Sequence, residues 1–134
     1  MRKRAGVIIF CKSQDKVLLI KRVKQDMKYW VAPGGGLEID ESFENAARRE
    51  ISEEIGYFVK ELLEGITISK EDSVEKYYVA LVDHTYHFNI QGEEAKRNNE
   101  LNQYILEWVT VDELEKINLL PAQLKNVILE ILPR

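Results

Sequence analysis

One stretch restricts the fold and chemistry of this 134-residue chain more than any other. It runs from Gly34-Gly35-Gly36 through an acidic turn into Ser42–Gly56, with glutamates at 50, 53 and 54. Residues 42–55 read as a helix. Asp40 and Ser42 are candidate caps, Asp40, Glu41 and Glu44 bring negative charge to the amino end, and Gly56 supplies a C-terminal stop. At about 3.6 residues per turn, Glu50 and Glu54 lie one above the other with Glu53 beside them. Ala47, Ile51 and Ile55 form an apolar stripe, and Glu50 and Glu54 border it instead of lying opposite. Asn45 and Ser52 take the solvent side.

Carboxylates gathered at the edge of a buried stripe repel one another and lose hydration. Like charges at i,i+4 cost ~0.2–0.5 kcal/mol even when exposed. A cation is needed nearby, and the candidates are Arg49 and a hard divalent ion such as Mg²⁺, which favours oxygen ligands. Consecutive glycines let a phosphate or metal approach the backbone closely. Their carbonyls can face a cation and their N–H groups an anion. No Gly-Lys-Ser/Thr follows, so this is not a P-loop, and the glycine spacing is not that of a dinucleotide fingerprint. On these residues alone, a flexible turn ahead of an acidic surface helix stays open as the alternative.

The rest of the chain fits a small domain. Gly6–Cys11 is a continuous apolar run and Val17–Ile20 a second, so residues 5–22 read as a hairpin. The basic start, Met1–Ala5, reads as a solubilising terminus. Residues 21–28 read as a loop and Tyr29–Ala32 as a short strand stopped by Pro33. Further strands are expected at 58–68, with a bend at Gly65, and at 74–82, 86–90 and 104–109. Residues 91–102 read as a long polar loop. A short helix is expected from about Thr110 or Val111 to Glu115, and a last one at about 122–130, opened by Pro121. The pattern implies an α/β fold, a mixed sheet with helices on its faces, in a single domain over residues 1–134.

Composition excludes several classes. The formal net charge of −4 argues against a dominant nucleic-acid footprint. The single cysteine, Cys11, permits no internal disulfide and no Cys-rich metal site. No apolar run approaches the ~20 residues of a membrane span, and no secretory signal pattern opens the chain. A cytoplasmic location is the expectation.

The spacing of Gly35, Glu41, Arg49-Glu50-Ile51, Glu53-Glu54 and Gly56 resembles the signature box of the Nudix hydrolases, the family of MutT-like proteins. The likeness covers 23 residues. Tyr57 stands where an aliphatic residue is usual, and Asp40 where glycine is frequent. The resemblance implies an α/β/α sandwich with a mixed β-sheet and the box as loop–helix–loop. It implies dependence on Mg²⁺ or Mn²⁺ and attack of water on a phosphoanhydride in a nucleoside diphosphate joined to another moiety. Carried over, Glu50 and Glu54 are core metal ligands, Glu53 a third, and the Gly35 carbonyl a further one. Arg49, with Glu41, would orient a box glutamate. The catalytic base would be Glu53 or Glu50, or a later carboxylate among Glu93, Glu94 and Glu100, of which Glu100 is the choice. Asn102–Val109, Asp112-Glu113-Leu114 and Ile117–Pro121 resemble the closing strand, short helix and ending of many members.

The substrate is harder to read. Lys21, Arg22, Lys24 and Lys28 are candidate phosphate contacts, and Tyr29, Trp30, Tyr77, Tyr78, Tyr86 and Phe88 candidate stacking groups. No proline lies between Tyr57 and Pro121, where ADP-ribose-specific members often have one. A small-molecule nucleotide is the expected partner, with nucleic acid disfavoured; homodimers are common among similar proteins. Two other readings are a nucleotide-sensing module without turnover and an RNA 5′-end pyrophosphohydrolase.

Overall fold

The computed structural model describes residues 1–133. The strands are β1 (Arg2–Cys11), β2 (Lys16–Lys24), β3 (Met27–Val31), β4 (Gly34–Gly36), β5 (Leu63–Lys70), β6 (Ser73–Val82) and β7 (Asn102–Thr110). The helices are α1 (Phe43–Ile55), α2 (Gly92–Arg97) and α3 (Ala122–Ile131), and a 3₁₀ helix spans Val111–Lys116.

The apolar run of β1 is continuous because both of its faces are covered, as in the central strands of layered sheets. Val7 and Ile9 face one side and pack with Ala47, Ile51 and Ile55 of α1. Ile8 and Phe10 face the other and pack with Leu124 and Ile128 of α3. The sheet order is β3-β2-β1-β6-β5, with β4 added to β1 and β7 to β2. β1 runs parallel to β6 over its whole length, from Arg2 opposite Ser73 to Cys11 opposite Val82, whereas its partners β2 and β4 are antiparallel. The result is the expected mixed sheet between helical layers.

Several boundaries differ from the sequence reading. Residues 21–28 are not a loop: β2 continues to Lys24, Gln25 turns at φ 55°, and β3 starts at Met27. The charged side chains there hide the strand pattern, yet β2 is bonded on both sides, Arg22 lying opposite Tyr29 of β3 and Tyr104 of β7. Long basic side chains can cover a sheet with their aliphatic stems. The expected hairpin of β1 and β2 forms, but only Ile9–Cys11 pair with Lys16–Leu18. The glycines are a strand, not a loop. β4 lies so close to β1 that a Cβ on Gly34 would fall 2.2 Å from the Ala5 carbonyl oxygen.

The strand from Phe58 starts only at Leu63, and its bend is a register shift between Glu64 and Ile66, at Gly65. Residues 86–90 form no strand. Their aromatics pack instead, Phe88 against Tyr57 at 5.4 Å between ring centroids, and the Tyr86 carbonyl accepts the Trp108 indole N–H at 2.9 Å. The loop expected at 91–102 contains α2, whose Glu93 and Glu94 precede Lys96 and Arg97 in the order that suits the helix dipole. Among the described residues, no helix is long and apolar enough to cross a membrane.

Candidate active site

The site is built on α1. Ser42 Oγ accepts the Asn45 N–H at 3.1 Å to start the helix, and Gly56, left-handed at φ 70°, ends it. Packing of Ala46, Ala47, Ile51 and Ile55 against the sheet sets the helix rotation. That rotation carries Glu54 inward, leaving it 5% exposed. Its Oε1 accepts the Gly34 N–H at 3.1 Å. Desolvation, reinforced by the charge of Glu94, pushes the Glu54 carboxyl up to about 8. Desolvation also raises Glu50, opposed by its hydrogen bond with Arg49. Glu53 stands on the open side, its side chain 59% exposed.

Arg49 ties the box together. Its Nε and Nη2 donate to the two carboxylate oxygens of Glu41 at 2.8 and 2.9 Å, a bidentate fork. Nη1 donates to Glu50 Oε1 at 2.8 Å and Glu53 Oε2 at 3.3 Å, and Nη2 also reaches the Gly36 carbonyl at 3.0 Å. Glu41 in turn accepts the Glu38 N–H at 3.0 Å. These bonds, Arg49 first, hold the Glu41 carboxyl down at about 2. The guanidinium thereby links the glycine strand, the turn and the helix.

Gly35 is required by contact. A Cβ there would lie 2.4 Å from the Glu50 carboxylate carbon. Gly35→Ala should therefore displace Glu50 without unfolding the chain, because the clash is with the end of a side chain. We expect a melting temperature within a few degrees of the parent and a loss of at least about tenfold in kcat, as misplaced groups cost rate steeply. Parent-like turnover in this variant would separate Glu50 from the chemistry.

The opposite wall comes from α2. The Gln91 N–H donates to the Glu54 carbonyl at 2.7 Å, and Gly92, at φ 68°, turns the chain back beside α1. Glu93, Glu94, Arg4, Gly35, Glu50 and Glu53 thus share one cleft of about 520 Å³. Glu54 lies behind this wall and Arg49 braces it from the side. Glu100 is exposed in the turn before β7 and is not part of the wall. Sequence reasoning misses Arg4, whose basic neighbours suggest only a solubilising terminus. It also misses the helix that brings Glu94 in; the acid-then-base order after Gly92 is the available signal.

The other candidates lie outside the cleft. Arg22 stacks 3.7 Å from the Tyr104 ring centroid, and Lys21 sits 5.7 Å from that of Trp30. Trp30 donates to Glu107 and Tyr77 to Glu75. His84 meets Tyr86 edge-on, and His87 pairs with Asn89.

The donors fit a hard cation in kind. They are carboxylates, two are raised by desolvation and neighbouring negative charge, and a glycine backbone lies against one of them. As they stand, no group of three or more His, Cys, Asp or Glu among the described residues forms a closed metal-ligand set.

Comparison with known proteins agrees with the box and the sheet. The NUDIX domain model matches residues 1–132. A putative 8-oxo-dGTP diphosphatase of Bacillus subtilis is 49% identical over 57 residues, 42% of this chain and 37% of that protein. An RNA pyrophosphohydrolase of Ruthia magnifica is 44% identical over 55 residues, 41% of this chain and 29% of that protein. The matches thus span about a third of these curated relatives. A solved MutT structure, from work on the proteins of Aliivibrio salmonicida and Vibrio cholerae, superposes with a TM-score of 0.68 at 21% identity, covering 99% of this chain and 97% of the other. The NUDIX domain of Shewanella oneidensis NrtR, in complex with ADP ribose, gives 0.72 at 21% identity over 96% and 86%. Its box, its sheet order and the model match over nearly its whole length place this chain in the NUDIX domain family.

Proposed function

We propose that this chain is a divalent-metal-dependent hydrolase that cleaves a phosphoanhydride in a small nucleotide-like substrate. The observation that carries this reading is the pair Glu50 and Glu54. They are desolvated carboxylates of α1 with raised pKa values, held against the glycine strand beside an open cleft. Such a pair is poorly compensated unless a cation joins it. Glu50, Glu53, Glu54 and the Gly35 carbonyl are the residues that would hold Mg²⁺ or Mn²⁺. When bound, the ion supplies charge neutralisation for the diphosphate and a lowered pKa for the attacking water. Arg49 keeps Glu50 and Glu53 oriented, and Arg4, on β1 next to the glycine strand, offers positive charge to the phosphates.

For the base we choose Glu94, in place of Glu100. Its support is its position on the cleft wall and its electrostatic reach to both Glu50 and Glu54. Glu94→Gln should lower kcat by about 10²-fold, within the range for lost proton transfer. Glu53→Gln should do the same, and Glu100→Gln should stay within about twofold. Steady-state kinetics on the three variants decides; a parent-like kcat in Glu94→Gln beside an impaired Glu100→Gln reverses the choice.

The relatives are named as a putative 8-oxo-dGTP diphosphatase, an RNA pyrophosphohydrolase and a diphosphoinositol polyphosphate phosphohydrolase, and these names support a phosphoanhydride as the shared chemistry. A panel of nucleoside triphosphates, ADP-ribose, nucleotide sugars, NADH, dinucleoside polyphosphates and triphosphorylated RNA tests the reading, with Mg²⁺, Mn²⁺ and EDTA arms. Phosphate or pyrophosphate release that EDTA abolishes is the expected result. Binding without release across the panel would favour a sensing module instead. Sedimentation of the same sample measures whether the chain pairs as a homodimer.

A further inference from the structure

A second cleft, of about 650 Å³, adjoins the first, and Arg4 lines both. Arg2, Arg4, Arg22 and Lys70 stand in its wall, whereas Glu75 is its one carboxylate among the described residues. Glu75 is already engaged. It pairs with Arg4 Nε at 3.7 Å and accepts the Tyr77 hydroxyl at 2.7 Å. Arg2, Arg22 and Lys70 form no ion pair among the described residues, so the wall carries an uncompensated positive charge.

Arg22 is the best-ordered of these cations. Its Nε donates to the Gln103 carbonyl at 3.3 Å and its Nη2 to Asn102 Oδ1, while its plane lies on the Tyr104 ring. It is also 5.8 Å from the centroid of Tyr29. A guanidinium held this way has lost its freedom before any ligand arrives, which favours a bound anion over a neutral group.

We infer that this basic cleft binds a further phosphoryl group on the part of the substrate that lies beyond the scissile diphosphate. The substrate class is then a small diphosphate compound phosphorylated at a second, separate position. This rests on the hydrolase reading for the word substrate, but the anion preference itself does not depend on turnover.

NADH and NADPH share one diphosphate and differ by one phosphate on the adenosine ribose, so they isolate that group. Calorimetric titration of the full chain in Ca²⁺, and again in EDTA, should show NADPH binding at least about tenfold more tightly, as a charge-assisted contact allows. The preference should weaken as salt is raised. Lys70→Gln and Arg22→Gln should each bring the ratio down to about twofold. Lys70 is exposed, so its variant keeps the test sound if Arg22→Gln disturbs Tyr104. Equal affinities for the two dinucleotides, or an undiminished preference in both variants, overturns the inference. So does inorganic phosphate binding with the same dependence on Lys70 while NADPH gains nothing, since the cleft would then serve a free anion. If the preference holds but the substrate panel shows no release in any metal, the hydrolase reading fails and the anion site stands.

Discussion

Glu54→Gln should melt at a higher temperature than the parent in metal-free buffer at about pH 8.5, while its kcat falls by ~10²-fold or more. The two effects share one cause. The Glu54 carboxyl is buried at 5% exposure and raised from 4.5 to about 8 in the folded chain. Folding therefore favours its neutral form. As pH rises from 4.5, the unfolded chain ionises first and gains stability relative to the fold, and the loss accumulates until about 8. Each tenfold change in the ionisation constant corresponds to about 1.4 kcal/mol, so the ceiling is several kcal/mol before the site relaxes.

Glutamine removes that charge and keeps an oxygen to accept the Gly34 N–H, which spans 3.1 Å in the parent. An increase of about 5 °C or more is reasonable for a chain of this size. The gain over the parent should be small near pH 4, grow as pH rises, and level off above about 8. Mg²⁺ should raise the parent's melting temperature and leave the variant's nearly unchanged. A parent that outlasts Glu54→Gln in EDTA at high pH would show that this carboxylate is not a source of instability, and would remove the main support for a cation there.

Arg49→Lys is expected to lose activity by about 10²–10³-fold although the charge is conserved, because lysine cannot reproduce the fork. Arg49 reaches Glu41 with two nitrogens, Glu50 and Glu53 with a third contact shared at Nη1, and the Gly36 carbonyl as well. A single ammonium can satisfy only part of this set. Glu50 and Glu53 would then settle apart, and the loss should appear in kcat more than in KM. Glu41 serves the same cluster, so the double variant Glu41→Gln/Arg49→Lys should be little worse than Arg49→Lys alone. Fully multiplied losses in the double variant would mean that the two residues act separately. Since Arg49 holds Glu41 down at about 2, the pair stays ionised through ordinary working pH, and an acidic limb in the rate profile must come from another group.

What the chain spells out locally is α1 with its box. The cap at Ser42, the stop at Gly56, the stripe of Ala47, Ile51 and Ile55 and the row of glutamates all act within a few turns of one another, so a helical period is enough to find them. The β1 run and the Pro121 start of the last helix are legible for the same reason. The mixed α/β layering also follows from the order of the elements.

Other features depend on contacts between residues far apart in sequence. Lys21–Lys24 become strand only because β3 and β7 bond to both edges of β2, and the glycines become strand only because β1 admits a backbone without side chains. The depth of Glu54 is set by packing of α1 on the sheet, and the approach of Glu94 by the turn at Gly92 beside the end of α1. Arg4, at the amino end, meets Glu75 across a parallel ladder that no local pattern announces. A side chain's type and spacing are properties of the sequence; its desolvation and the charges that face it exist only once distant strands have paired.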